Sequence, residues 1–197
     1  MREMTRTSAP RRSARERLLT AANELFYREG VHTVGIDRII EHAGVAKASL
    51  YNTFGSKDEL VRAYLEFRHD RVRRRVERHL AGSATPRDRL LAVFDAQAEG
   101  FAHPDYNGCP FISACAESPE GSSAERAARH YRTWLRDLFT GFAAEAGVAD
   151  PSALARQLHL LYDGASVAAG LDGDPTAAAA ARTAAVTFID TAPRAGD

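Results

Sequence analysis

The chain is poor in the features that mark secreted, membrane and zinc proteins. It has two cysteines among 197 residues, Cys109 and Cys115, which is neither a disulfide framework nor the four-ligand spacing of a zinc site. No uninterrupted apolar run approaches the roughly 18 residues that cross a bilayer, and no secretory signal is present. We therefore expect a cytoplasmic protein with reduced thiols and no membrane partner.

Catalytic and metal-binding motifs are also lacking. There is no Gly-rich phosphate loop, no nucleophile elbow and no HExxH motif. The seven histidines include no pair with metal-ligand spacing on one helix. We expect no metal and no cofactor. A helical enzyme acting on a small molecule is the competing function, since fold alone does not fix function, but no motif in the sequence supports it.

The net charge is zero, yet the charge is unevenly divided. Residues 1–80 carry 17 lysines and arginines against 11 acidic residues, and residues 81–197 carry 9 against 15. Such an asymmetry favours a polyanion as the partner of the basic half. Residues 1–12 hold four arginines without apolar periodicity, which predicts a disordered basic arm. The arm is either a solvated tail or a ligand of the DNA minor groove.

Apolar residues recur at helical spacing along the rest of the chain, and no segment alternates convincingly as a strand. Capping boxes at Ser13 and Ser56, Asp-Pro pairs at 150–151 and 174–175, and Gly30 mark helix ends. The predicted helices span 13–30, 36–42, 46–54, 56–80, 86–102, 111–116, 123–146, 151–171 and 175–192. The fold class is therefore all-α, with a basic head (13–58), a connecting helix (59–80) and a helical-bundle body (81–197).

The turn at 43–45 joins two short helices with the lengths of a helix-turn-helix, whose second helix lies in the major groove of DNA. Leu50 and Phe54 would anchor that helix to the core of the head. The side chains left for solvent are Lys47, Ala48, Ser49, Asn52 and Thr53. Short or donor-bearing groups let the helix approach base edges. Lys57 lies at the start of the next helix, where its ammonium and the backbone amides could hold a phosphate.

Residues 44–60, GVAKASLYNTFGSKDEL, resemble the DNA-binding signature of the TetR/AcrR family of transcription regulators. The resemblance implies that Tyr51 and Lys57 contact phosphates and that Lys47, Ala48, Ser49 and Thr53 face the bases. Many members have Thr-Ser before the second helix, where this chain has Val34-Gly35. We therefore expect the backbone amide of Gly35, or the neighbouring Thr33, to replace the usual hydroxyl contact.

The resemblance also implies a homodimer in which the last two helices of each subunit form a four-helix bundle. The interface predicted from helical spacing comprises Leu154, Leu158, Leu161, Ala165 and Ala168 on one helix, and Ala178, Ala181, Ala185, Phe188 and Ile189 on the other. A two-fold dimer presents two recognition helices, so its partner would be double-stranded DNA with a near-palindromic operator.

We expect a small-molecule ligand to regulate the protein by releasing it from DNA. The residues predicted to line an effector pocket are Phe94, Phe101, Phe111, Tyr131, Trp134, Leu138 and Tyr162, with Asp95, Gln97 or His130 as polar anchors. Each of these residues can instead be plain core, which is the commoner role of an aromatic residue at helical spacing. A small-molecule effector of unknown identity would favour a body conformation that swings the connecting helix and weakens operator binding. An activator, or a repressor without a ligand, would have the same head.

Two further segments have alternative interpretations. Cys109 precedes a short helix, and a thiol at a helix N-terminus can have a lowered pKa and react with oxidants or electrophiles. The alternative is a small buried hydrophobe. The arginines of the connecting helix, namely Arg71, Arg73, Arg74, Arg75 and Arg78, are predicted to form its solvated face.

Overall fold

A computed structural model describes residues 12–196, so the predicted basic arm lies almost entirely outside the described residues. Within that range the chain is all-α, with an isolated antiparallel bridge between Val148 and Arg194. The helices are α1 (Ala14–Glu29), α2 (Ile36–Ala43), α3 (Lys47–Phe54), α4 (Lys57–Leu80), α5 (Pro86–Phe101), α6 (Pro110–Ala116), α7 (Ser123–Glu145), α8 (Pro151–Leu171) and α9 (Ala177–Thr191). The chain divides into a head unit and a body unit with the boundary inside α4, between Tyr64 and Leu65.

Side-chain caps fix several helix starts at the predicted positions. The Ser13 backbone N–H donates to Glu16 Oε2 at 2.8 Å, and the Glu16 N–H donates to Ser13 Oγ, which completes the capping box of α1. Thr85 and Asp88 form the same arrangement at α5. Asp150 accepts a hydrogen bond from the Ala153 N–H at 2.9 Å and caps α8. These contacts satisfy amides that have no partner within the helix.

The predicted start of α9 at the second Asp-Pro pair is wrong. The helix begins at Ala177, and its N-cap residue, Thr176, makes no side-chain cap hydrogen bond. Asp174 instead accepts hydrogen bonds from the backbone N–H and the hydroxyl of Thr176, at 2.8 and 2.6 Å. An aspartate that bonds two residues ahead forms a turn of its own, and this turn precedes the helix rather than capping it.

The head unit packs α1, α2, α3 and the start of α4 around one apolar core. Its fully buried side chains include Leu18, Val34, Ile39, Leu50 and Leu60. Of the three isoleucines of α2, Ile39 alone is buried, and Ile36 and Ile40 are half-buried. A fully buried leucine or isoleucine stabilises a fold by about 1.5–3 kcal/mol. This core holds α2 and α3 in place.

The body unit is built around α5, whose Leu90, Val93, Phe94 and Ala96 are completely or almost completely buried. Helices α7, α8 and α9 pack on it, and the inner face of α4 adds Val76 to the same core. The buried residues of α9 are mostly alanines, so this helix can lie close to its neighbours. One face each of α8 and α9 is therefore used inside the protomer.

Candidate nucleic-acid interface

The turn between α2 and α3 is fixed by backbone geometry and by an arginine from α1. Gly44 has φ +61°, a left-handed conformation that favours glycine. The Val45 N–H donates to the Ile40 carbonyl at 3.1 Å. Arg17 Nη1 donates to the Gly44 carbonyl at 3.0 Å. No local pattern indicates this role of Arg17, because the contact joins residues 27 positions apart.

Helix α3 presents one face to the head core and the other to solvent. Leu50 is 0% exposed, and Phe54 lies under the guanidinium of Arg15, 5.7 Å from Cζ to the ring centroid. The exposed residues of the helix are Lys47, Ala48, Tyr51, Asn52 and Thr53, and Ser49 is half-buried. The structure thus brings together, on one surface, the residues predicted to face the bases.

The polar side chains of this surface differ in whether their hydrogen-bond donors are already used within the protein. The Thr53 hydroxyl donates to the Ser49 carbonyl at 2.6 Å, so its hydrogen is used within the helix. The side chains of Ser49 and Asn52 make no hydrogen bond to the residues that the structure describes. An amide can pair in a bidentate manner with adenine. Asn52 therefore offers the most complete set of free donors and acceptors on α3.

Lys47, the only cation among the predicted base contacts, has an acidic neighbour. Its Nζ donates to Asp37 Oδ1 at 2.9 Å, although the two side chains are 56% and 81% exposed. The hydrogen bond to Asp37, followed by the charge of that carboxylate, raises the pKa of Lys47. Sequence reasoning missed Asp37, since α2 and α3 meet only through the tertiary fold. A surface pair of this kind is readily exchanged for another partner.

The predicted phosphate contacts lie beside this surface. Tyr51 is 45% exposed, and Lys57 Nζ is 3.4 Å from the His32 carbonyl, which places the ammonium next to Thr33. Gly35 is exposed and is the N-cap of α2, and no side chain hydrogen-bonds there as a cap. The first amides of α2 are thus available to an anion, as expected for a helix N-terminus without a side-chain cap.

The predicted effector-pocket residues separate into two groups. Phe94, Phe101, Phe111, Tyr131 and Tyr162 are buried. The rings of Phe111 and Tyr131 stack with centroids 4.0 Å apart, and Tyr131 Oη donates to Tyr162 Oη at 3.3 Å.

Trp134, Leu138 and the suggested anchor His130 form the second group. They line an open groove of about 460 Å³ along α7, together with Arg129, Thr133 and Asp137. Trp134 also borders the first group, because its ring centroid lies 6.0 Å from that of Tyr131.

Two other suggested anchors are also placed by the structure. Gln97 is buried, and its Nε2 donates to the Tyr162 carbonyl at 2.8 Å and to Ser166 Oγ at 3.0 Å. Its Oε1 accepts no hydrogen bond from the described residues. Asp95 is instead paired with Arg182 at 2.7 Å. Gln97 is thus the anchor that belongs to the interior of the body.

Of the two interpretations of Cys109, the reactive thiol with a lowered pKa is the one that the structure contradicts. Burial raises the pKa of this thiol, and the opposing effect of the Ile112 and Phe111 amides at the start of α6 is weaker. The helix amides act in the predicted direction, but loss of hydration penalises the thiolate more. Burial raises the pKa of Cys115 as well. Both thiols are protonated at neutral pH, which opposes high reactivity.

Most of the residues predicted for a dimer interface face the core of their own protomer, which corrects that expectation. Leu158, Ala178, Ala185 and Ile189 are 0% exposed. The other residues of this buried set are Leu154, Ala165 and Ala181. Leu161 and Ala168 are half-buried, and Phe188 is exposed. Side chains that already fill the core of α5, α8 and α9 are not available to a partner.

Some kinds of site are absent from residues 12–196. None of the helices there combines the length and the hydrophobicity needed to span a membrane. Across the same residues, no group of three or more histidine, cysteine, aspartate or glutamate side chains is arranged to hold a metal ion.

Comparison with known proteins agrees with both halves of the chain. Residues 18–64 match the family model "Bacterial regulatory proteins, tetR family", and residues 86–185 match "Tetracyclin repressor-like, C-terminal domain". The structure is similar to that of a TetR-family transcriptional regulator from Streptomyces coelicolor, with a TM-score of 0.84 and 35% identity over 91% of this chain and 95% of that chain.

Curated relatives include both an activator and a repressor. The transcriptional activator FasR of Mycolicibacterium smegmatis is 38% identical over 94 residues, which are 48% of this chain and 43% of FasR. The transcriptional repressor NemR of Escherichia coli is 30% identical over 116 residues, 58% of each protein. The chain thus spans about half the length of these relatives. With both domain models and a full-length structural relative in agreement, the chain belongs to the TetR family and is a DNA-binding transcriptional regulator.

Proposed function

We propose that this protein is a homodimeric repressor whose α3 enters the major groove of a near-palindromic operator and whose body binds a small-molecule effector that releases the DNA. The observation that carries this proposal is the solvent face of α3. It combines short side chains, the free amide of Asn52 and the exposed Tyr51 on a helix anchored by Leu50. Such a surface fits base edges and the flanking phosphates.

Repression is favoured over activation on physical grounds. A dimer bound across a promoter blocks it by occupancy alone, whereas an activator needs a further surface for the transcription machinery. The relatives include the repressor NemR and the activator FasR, so activation is the second candidate. A reporter driven by the protein's own upstream region separates the two functions. Deletion of the protein raises expression for a repressor and lowers it for an activator.

The outer faces of α8 and α9 support a dimer of this chain. Leu160 and Leu171 are 66% and 82% exposed, and Val167 and Phe188 are also exposed. On α8 these leucines and Val167 recur at helical spacing on the side opposite the core. A second copy is the natural occupant, because a two-fold axis brings the same apolar stripe from each protomer into one four-helix interface.

DNA binding in the cytoplasm requires neither catalysis nor a cofactor, and the effector would act by binding alone. The effector can shift the protein away from its operator only through its different affinity for the DNA-bound and free forms. The buried aromatic residues around Tyr131 and Tyr162 are where we place it.

The experiment that tests the DNA-binding surface is genomic footprinting with purified protein, followed by titration of the protected fragment with variants. Tyr51→Ala and Lys57→Ala should each weaken binding about tenfold or more, since each removes a phosphate contact. Tyr27→Phe is a control that removes a tyrosine hydroxyl from α1. Normal affinity in both test variants, or a wild-type dimer that protects no genomic fragment at low ionic strength, would contradict the proposal.

A further inference from the structure

Arg75 of α4 is a cation without a counterion in the body unit. Its guanidinium lies flat against the α5 backbone at Gly100, because a Cβ placed on that glycine would be 2.5 Å from Nη2 and 2.7 Å from Cζ of Arg75. Nε of Arg75 is shielded from solvent and has no acceptor. Arg75 makes no hydrogen bond or ion pair within the part of the chain that the structure describes.

Several other basic residues near Arg75 are paired, and Arg71 and Arg74 are exposed to solvent. Arg73 binds Asp70 at 3.2 Å and Arg132 binds Asp163 at 2.7 Å. Glu99, the carboxylate beside Gly100, is taken by Arg78 and His79, at 2.9 and 2.8 Å. Since Asp163 pairs with Arg132, no carboxylate of the described residues pairs with Arg75. Arg75 is half-buried and its Nε is shielded from water, so hydration compensates its charge only in part.

A second unused donor is attached to the same stretch of α5, because Gln97, three residues before Gly100, donates a hydrogen bond to the Tyr162 carbonyl at 2.8 Å. Tyr162 is buried, and its oxygen accepts the hydrogen bond from the Tyr131 hydroxyl at 3.3 Å. Its own hydrogen is donated to none of the described residues. Burial raises the pKa of Tyr162, and the charge of Arg75 opposes that rise. The hydroxyl therefore stays protonated and able to donate.

The walls around these donors are apolar. Phe94 has its ring centroid 6.2 Å from that of Tyr162, and Phe111 stacks on Tyr131. A guanidinium and a phenol hydroxyl with free hydrogens call for an oxygen acceptor that carries negative charge. The aromatic walls call for an apolar body attached to it.

We propose that the effector is a small organic carboxylate with an apolar body, held through its carboxylate by the Arg75 guanidinium and the Tyr162 hydroxyl. This inference rests on the proposed function and names the chemical class that the body senses. Gly100 is a specificity-determining residue beside Arg75, because a side chain at this position would occupy the space of the guanidinium. Arg75 lies on α4, which continues into the head unit, so the effector binds the helix that both units share.

The test uses the full-length protein with two carboxylates, hexanoate and phenylacetate, and their neutral amides, hexanamide and phenylacetamide. At least one carboxylate should raise the wild-type Tm and bind at least tenfold more tightly than its amide, as expected for charge-assisted hydrogen bonds. Arg75→Gln and Gly100→Ala should abolish that preference. Arg74→Gln, which removes an exposed arginine next in sequence, should retain it. Equal binding of acid and amide to the wild type, or a preference retained in Arg75→Gln, overturns the proposal.

A measurement without any added compound tests the same point. Arg75→Met should leave the Tm unchanged or raise it, because it removes an uncompensated charge. Arg132→Met should lower the Tm, because it strands Asp163. A fall in Tm of more than about 4 °C for Arg75→Met would mean that Arg75 is structural and would overturn the proposal. Operator binding by the wild type without any carboxylate is measured separately, and its absence would contradict the proposed function instead.

Discussion

Asp37 and Lys47 partly neutralise each other on the surface that we propose meets DNA. Both side chains are largely exposed and joined by one 2.9 Å contact, and exposed pairs of this kind contribute little to stability. The carboxylate therefore has its main effect on binding. It lowers the positive charge that α3 presents and holds the lysine ammonium away from a base or phosphate.

Replacing Asp37 by Asn should strengthen operator binding roughly three- to tenfold, because it frees Lys47 and removes a negative charge from the interface. Fluorescence anisotropy with the footprinted fragment measures this change. The gain should be smaller in the Lys47→Ala background. Weaker binding by Asp37→Asn in the wild-type background would show instead that the carboxylate orients Lys47 for its contact.

On the scale of whole helices, His69 holds α4 against α7. Its ring centroid lies 4.9 Å from that of Trp134, and 5.4 Å from those of Tyr131 and His130. Its Nε2 is buried without a hydrogen-bond partner among the described residues. Burial, and then the charge of His130, lowers the pKa of His69, and Asp70 opposes this only in part. The folded protein thus favours the neutral ring.

Acidification should therefore destabilise the body unit. Because the pKa of His69 is lower in the folded state than its ordinary value of 6.5, the unfolded chain takes up the proton more readily, and stability falls as the pH drops below about 6.5. Thermal unfolding at pH 7.5 and 5.5 measures the loss. His69→Phe should reduce the difference between the two Tm values without abolishing it, since burial also lowers the pKa of His159. If the Tm difference between pH 7.5 and pH 5.5 is the same in His69→Phe as in the wild type, His69 does not cause the pH dependence of stability.

The two Asp-Pro pairs give a matched comparison of helix starts. Asp150 caps α8 directly through the Ala153 N–H, so Asp150→Ala should lower the free energy of unfolding by about 1 kcal/mol. The corresponding change in Tm is roughly 2–4 °C for a chain of this size. Asp174→Ala should give a smaller decrease in Tm, because Asp174 bonds only Thr176 in the turn before α9. Equal decreases in thermal melts of the two variants would contradict this distinction.

The oligomeric state is a property of the whole molecule. We propose that the outer faces of α8 and α9 pack against a second copy of the chain. Leu160→Glu and Phe188→Glu should each convert the dimer to monomers, because each places a charge in an apolar interface. Operator affinity should fall when the dimer is lost. Light scattering coupled to size exclusion measures the mass. Ile112→Glu is the matched control, because Ile112 is an exposed hydrophobic residue of α6, and its dimer should persist. A dimer unaffected by both test variants would place the interface elsewhere.

Local signals in the sequence determined the class of the protein. The capping boxes, the Asp150-Pro151 start of α8 and the glycine turn at residue 44 each act within a few residues. Helix bounds were therefore predicted to within about two residues at most ends. The signature at residues 44–60 has the same local character, and by itself it indicates the family and the exposed face of α3.

Tertiary structure alone decided which side of each body helix faces inward. Helix α8 is apolar on two sides. Its periodicity therefore does not predict that Leu158 is buried in the core and that Leu160 is exposed. The arginine run of α4 posed the same problem, because Arg74 is exposed and Arg75 turns toward Gly100. Helical spacing records which residues share a side, whereas burial depends on the distant segments that pack there. For this reason the amino-acid order predicts the exposed face of α3, whereas the effector site and the dimer face that we propose depend on the tertiary structure.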